Sequence, residues 1–253
     1  MWPARLAVTL TAHGSRDPRA ARATEALTRA VALRHPEWEV RASYLDHAGP
    51  RPRAVLADFA VAGHRRAVLV PLLLTSAYHG RVDVPGEITA ARAGHPGLAV
   101  EQADVLGPVD GHVPDLLLDG LVSRLGAADC DALVLAAAGT RSPGARATVD
   151  QAAAALSSRL ALPCRVAYAS AAPPLSGDVV RDLRADGYGR IGLISYFLAP
   201  GLLWDSTVAS ARSAGVRMVA EPLTDAPAVA ELVSVRVREA AARPVAAFAA
   251  VAS

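Results

Sequence analysis

Three residues, His13, Asp46 and His79, stand where this chain could assemble a divalent-metal site. His13 lies in the run Ala12-His13-Gly14-Ser15-Arg16-Asp17-Pro18, directly after an apolar strand-like segment at 6–10 and before a helix-compatible stretch at 19–33. The imidazole therefore falls at the carboxyl end of a strand, the edge at which open α/β sheets gather their ligands. His79 follows the apolar run 67–74 through Thr75-Ser76-Ala77-Tyr78, and Asp46 follows a strand-like segment at 39–44. Two imidazoles and one carboxylate make an open ligand set for a borderline ion such as Fe²⁺, Co²⁺, Ni²⁺ or Zn²⁺. A neutral imidazole, with a reference pKa near ~6.5, can also accept a proton at working pH.

The elements that must position these residues alternate. After the first strand and helix, the pattern predicts a strand at 39–44, a helix at 51–61 ended by Gly63, and a strand at 67–74. A helix from Val84 or Pro85, a short strand at 98–102 and a helix at 113–125 follow. Strand-helix alternation implies a parallel sheet with right-handed crossovers, so the strands carrying His13 and His79 should be neighbours. In the turn after the first strand, Gly14 permits a tight bend, Ser15 and Asp17 suit helix capping, and Pro18 suits the first helical position. His35, His64, His95 and His112 read as solvated residues near turns and prolines.

The pattern then starts again. A strand at 132–137 leads to Ala138-Gly139-Thr140-Arg141-Ser142-Pro143, which repeats the glycine, hydroxyl, arginine and proline of the first turn with alanine in place of His13. Gly63-His64-Arg65-Arg66 is echoed by Gly187-Tyr188-Gly189-Arg190, and Pro71-Leu72-Leu73-Leu74 by Ser195-Tyr196-Phe197-Leu198. A period of a whole domain predicts two similar α/β lobes, 1–126 and 127–253. At the places of His13, Asp46 and His79 the second lobe has Ala138, Ser170 and Leu203, so the metal set belongs to the first. All seven histidines lie in the first half.

Composition narrows the partners. The 253 residues are 52% hydrophobic and 20% charged, which favours a folded core over disorder. A net charge of +2 and an aromatic content of 4% argue against a nucleic-acid surface. No apolar stretch approaches the ~20 residues of a membrane span, and the first residues lack the regions of a signal peptide. Cys130 and Cys164 have neither zinc-knuckle spacing nor further cysteines to form a framework. These features together suggest a protein of a reducing cytoplasm. No Gly-x-x-x-x-Gly-Lys-Ser/Thr loop occurs, so no nucleotide is expected. The alanine-rich residues 244–253 receive no role.

The opening turn, the segment Val70-Pro71-Leu72-Leu73-Leu74 leading to Tyr78-His79, and Asp83-Val84-Pro85 together resemble the sirohydrochlorin cobalto/ferrochelatase family. Leu198-Ala199-Pro200-Gly201 is similar to the family's repeated motif in the second lobe. The resemblance implies two chelatase-like lobes with the active site in the cleft between them. It further implies His13 and His79 as metal ligands, and insertion of Fe²⁺ or Co²⁺ into sirohydrochlorin for siroheme or cobalamin synthesis. The family's acidic position maps to Asp46, where glutamate is more usual, and the neighbouring His47 is an alternative donor. Because sirohydrochlorin carries many carboxylates, Arg16, Arg81 and Arg141 become candidates to bind it. A metal or tetrapyrrole carrier would use the same site without turnover. A histidine phosphatase needs an arginine where Ala12 stands, and the β-rich fold of iron(II) oxygenases conflicts with the alternation.

Overall fold

The computed structural model describes residues 5–75, 83–127 and 129–243. Its first half runs β1 (Leu6–Ala12), α1 (Pro18–Arg34), β2 (Trp38–Tyr44), α2 (Pro52–Val61), β3 (Arg66–Pro71), α3 (Val84–Gly94), β4 (Ala99–Gln102) and α4 (Asp115–Leu125). The second half runs β5 (Ala132–Ala137), α5 (Pro143–Leu160), β6 (Cys164–Tyr168), α6 (Ser176–Ala185), β7 (Ile191–Tyr196), α7 (Leu202–Ser213), β8 (Met218–Val219) and α8 (Pro227–Ala242). Two parallel sheets result, ordered β2-β1-β3-β4 and β6-β5-β7-β8. The expected α/β fold with paired parallel sheets is what the chain adopts, and β1 and β3 are neighbours.

Both faces of each sheet are covered, and side-chain alternation sorts the strands between separate cores. In β1 and β3, Val8, Leu10, Val68 and Val70 point into one large central core, while Ala7, Ala67 and Leu69 face a smaller core beneath α2 and α3. In β5 and β7, Leu133, Leu135, Ile194 and Tyr196 join the same central core, and Val134 and Leu193 face α6 and α7. The middle layer holds α1, α4, α5 and α8, and its packing crosses between halves. Helix α8 packs on β3, β4 and α1, whereas α4 packs on β7 as well as on α5 and α8.

The duplication survives in hydrogen-bonding detail. Leu45 and Asp46 donate their amides to the carbonyls of Ala12 and His13, and Ala169 and Ser170 donate to those of Ala137 and Ala138. Tyr44 donates to Pro50 as Tyr168 does to Pro174. Asp17 caps α1 by accepting from the Arg19 amide, and Ser142 caps α5 by accepting from the Ala145 amide. Each helix has proline in its first turn.

Three expectations are corrected. The third strand ends at Pro71, not residue 74, because Leu73 turns its amide back onto the Pro71 carbonyl. Leu72 and Leu74 remain buried in the central core, so the apolar run reported burial beyond the strand's end. The first strand instead reaches Ala12, past residue 10, since the buried Thr9 and Thr11 hydroxyls both bond Ser43 Oγ, at 2.8 and 2.9 Å. His35 and His64 are not solvated. His35 Nε2 lies 2.9 Å from Ser234 Oγ of α8, and His64 bonds Glu39 and the Arg5 carbonyl. Residues 244–253 lie outside the described residues.

Gly14 and Gly139 take φ of +95° and +97°, and an added Cβ would lie 1.8 Å from the Asp46 carbonyl oxygen or 1.9 Å from that of Ser170. Alanine at either place combines a strained backbone with a backbone clash. Gly14→Ala and Gly139→Ala are each expected to lower unfolding free energy by about 2 kcal/mol or more in denaturant titrations. Only Gly14→Ala should also displace the loop bearing Asp46.

Candidate functional site

The carboxyl ends of β1 and β5 open onto a cavity of about 630 Å³ between the two lobes. Its first-lobe wall comes from the 12–17 turn, Tyr44, His47 and residues 72–75. The second-lobe wall comes from residues 137–140, Tyr168 and the stretch Tyr196 to Trp204. A second cavity of about 510 Å³ lies on the other side of His13 and is lined by Leu45, Asp46, Arg51, Arg53, Asp83, Gly86, Glu87 and Ala90. Among the described residues His13 alone lines both.

This arrangement follows from strand parity. Odd-numbered residues of β1 face the outer core and even-numbered ones the central core, and the chain bends at Gly14 immediately beyond the strand. His13 therefore sits at the sheet edge where the two faces meet. The Asp46 amide donates to the His13 carbonyl at 2.8 Å, so the loop carrying the carboxylate is fastened to the residue it must accompany. His47, at φ of +58°, lines the larger cavity, and its Nε2 lies 3.5 Å from Asp46 Oδ2. Its ring centroid is 6.2 Å from that of His13, with the rings edge to face. Asp46 lines the smaller cavity and His47 the larger, and the two side chains meet beside His13.

The His47 amide donates to Asp46 Oδ1 at 2.8 Å and holds this carboxyl below the usual range, aided by nearby His47, His13 and Arg51. The side chain keeps 59% exposure, so it remains a solvated anion able to meet a hydrated cation. Across the second cavity Glu87 accepts from the Arg53 amide and lies 3.6 Å from Arg51, which ties the start of α3 to α2.

The sequence candidates are distributed as follows. His13 and Asp46 come together as expected, while His79 and Arg81 lie outside the described residues. Arg16 lines the larger cavity, and Arg141 is exposed beside Thr140, outside the described lining. Among the described residues no group of three or more histidine, cysteine, aspartate or glutamate side chains could hold a metal ion. No described helix is long and apolar enough to cross a membrane.

Sequence reasoning passed over the aromatic wall. In a chain with few aromatics, Tyr44, Tyr168, Tyr196, Phe197 and Trp204 all line this one cavity. Tyr44 and Tyr168 end β2 and β6 at matching places in the two halves, a pairing visible in the repeat. Tyr196 is fully packed, and its hydroxyl donates across the lobes to the Leu74 carbonyl at 3.1 Å. Burial raises its phenol pKa, so it stays a neutral donor. Also unforeseen was Arg19, which bonds Asp17 of its own turn and Asp205 of α7.

Two half-chains of one plan, joined around a shared core and enclosing a largely apolar cleft with a histidine and a carboxylate on one wall, define a two-lobed α/β ligand-binding protein. The CbiX family model matches residues 7–122 and again 132–240, and the chain belongs to that family. A sirohydrochlorin cobaltochelatase of Methanococcoides burtonii is 27% identical over 81 residues, a match spanning 32% of this chain and 62% of that protein. The structure of SirB from Bacillus subtilis with Fe³⁺ superposes with a TM-score of 0.81 at 21% identity, covering 94% of this chain and 96% of that one. CbiX, described as the terminal enzyme of siroheme biosynthesis in denitrifying bacteria, gives 0.65 at 23% identity, covering 93% and 99%.

Asp17, like Asp46, is held below the usual carboxyl value of 3.8, chiefly by the Arg19 side chain and then by the Arg19 amide. A depressed folded-state pKa stabilises the fold above the unfolded value and loses that stabilisation as pH falls through the folded one. Asparagine caps a helix as well as aspartate does, so Asp17→Asn isolates the charge. The substitution is expected to lower the denaturation midpoint at pH 7 and to have a shrinking effect as the pH is taken below 3.8.

Proposed function

We propose that the protein inserts a divalent metal ion, Fe²⁺ or Co²⁺, into sirohydrochlorin without using a nucleotide. The observation that carries this reading is His13, placed at the junction of a large apolar cleft and a polar cavity containing Asp46, in a chain whose two halves both match the CbiX family. A cleft of about 630 Å³ suits a flat macrocycle, and its aromatic wall offers faces against which a conjugated ring can pack. Ni²⁺ is compatible with the same donors, because imidazole and carboxylate accept several first-row ions.

In this reading the ion is substrate. His13 and His79 ligate it with neutral imidazoles, and the carboxylate of Asp46 offsets its charge without enclosing it. Ring metallation requires both pyrrole N–H protons to leave: His13, facing the cleft, accepts one as the ion moves off its nitrogen, and the other passes to solvent water. The amide of His47 keeps Asp46 ionised at low pH, so the electrostatic contribution persists where free carboxyls begin to protonate. Arg16 at the cleft lining, Arg141 beside Thr140, and Arg81 are assigned to the macrocycle's carboxylates. In the second half, Ala138 and Ser170 keep the turn geometry while supplying no ligand, and that wall serves as a packing surface for the ring.

His13→Ala should abolish metal insertion, followed anaerobically by the absorbance of sirohydrochlorin with Fe²⁺ or Co²⁺, with an unchanged thermal melt. Asp46→Asn should raise the KM for metal more than the KM for the macrocycle. Turnover by His13→Ala close to wild type would overturn the reading.

A further inference from the structure

Beside the cleft an arginine joins the two lobes. Arg19, in the first turn of α1, places Nε and one terminal nitrogen on Asp17, at 3.1 and 2.6 Å. It also reaches across to α7, where its two terminal nitrogens meet the two carboxylate oxygens of Asp205 at 3.2 and 2.5 Å. The two carboxylates are unequal. Asp17 caps α1 and has a side-chain exposure of 12%, so it is a fixed partner, whereas Asp205 is 41% exposed and belongs to the opposite lobe. The pair joins two stretches that both line the cleft: Asp17 and Ala20 on one side, and Leu202, Leu203 and Trp204 on the other.

We infer that Arg19 is a carboxylate-binding residue of the cleft, and that Asp205 holds the place taken by an acidic side arm of the bound macrocycle. This rests on the macrocycle reading given above. A guanidinium presents a planar fork matched to a carboxylate, and in this structure a carboxylate already occupies that fork in two-point geometry. An exposed ion pair of this kind contributes little and is readily exchanged for another carboxylate. Substitution by the ligand's arm keeps the guanidinium satisfied, because Asp17 remains bonded to Nε. It also releases α7 from α1, freeing Leu202 and Leu203, which are 79% and 44% exposed, to close on the ring. Arg19 therefore acts in selecting macrocycles rich in carboxylates, and Asp205 acts as the internal competitor.

The test uses the full chain without metal and uroporphyrin, an octacarboxylate porphyrin, as probe, with binding read by fluorescence quenching. Asp205→Asn is expected to tighten binding roughly tenfold, the order of one charge-assisted contact, and Arg19→Gln to weaken it by a similar factor. In the Arg19→Gln background, Asp205→Asn should change nothing. Mesoporphyrin, with only two carboxylates, should respond less to either substitution. Equal tightening by Asp205→Asn in both backgrounds would show general charge repulsion and overturn the assignment. Unchanged or weaker binding by Asp205→Asn, or no uroporphyrin binding by the wild type, would do the same. Asp205→Asn leaves the Arg19–Asp17 contact in place, so it remains informative if Arg19→Gln fails to fold. Metal insertion by the wild type is scored separately. Its absence sinks the proposed activity, whereas normal insertion with no response at Asp205 sinks the role of Arg19 alone.

Discussion

The backbone contact between the turn after the first strand and the loop after the second governs the rest of the site. At Gly14 the chain passes so close to the Asp46 carbonyl that no side chain fits, and the same approach recurs between Gly139 and Ser170. Two amide-to-carbonyl bonds fasten each pair of segments. With the loop held there, Asp46 and His47 stay paired beside His13, which stands between two cavities of opposite character. A histidine on a freer turn could bind a cation, but it would not separate a polar approach from an apolar cleft.

Because the contact depends on backbone, it does not need the side chains that accompany it in the first half. Ser170 and Ala138 reproduce the hydrogen bonds of Asp46 and His13 without their donors. The second half keeps the frame of this turn without its histidine and carboxylate. It supplies Tyr168, Tyr196 and Trp204 to the cleft, and through Tyr196 it grips the Leu74 carbonyl of the first half.

Much of this was legible in the sequence. The first-half strands and their parallel direction follow from patterns within short windows, where local sterics and side-chain period decide the outcome, and the repeat shows when the two halves are set side by side. Strand ends were less legible, since Leu72 and Leu74 are apolar for the sake of the central core and not of a strand, and Thr11 is polar inside one. The aromatic wall and the contact from Arg19 to Asp205 depend on how the halves meet. That arrangement brings together residues 186 positions apart, and no local period encodes it.

The crossing of the middle helices has a consequence for how the molecule comes into being. Helix α8, the last described element made, rests on the sheet that begins the chain, and α4 rests on a strand made after it. Neither sheet can exclude water from its inner face until most of the chain has left the ribosome. The central core that holds Val8, Leu10, Val68 and Val70 is therefore complete only once α8 is seated. A protease attacking the joint near residue 127 after that point would cut the chain without separating the halves, since each would still carry a helix seated in the other's core.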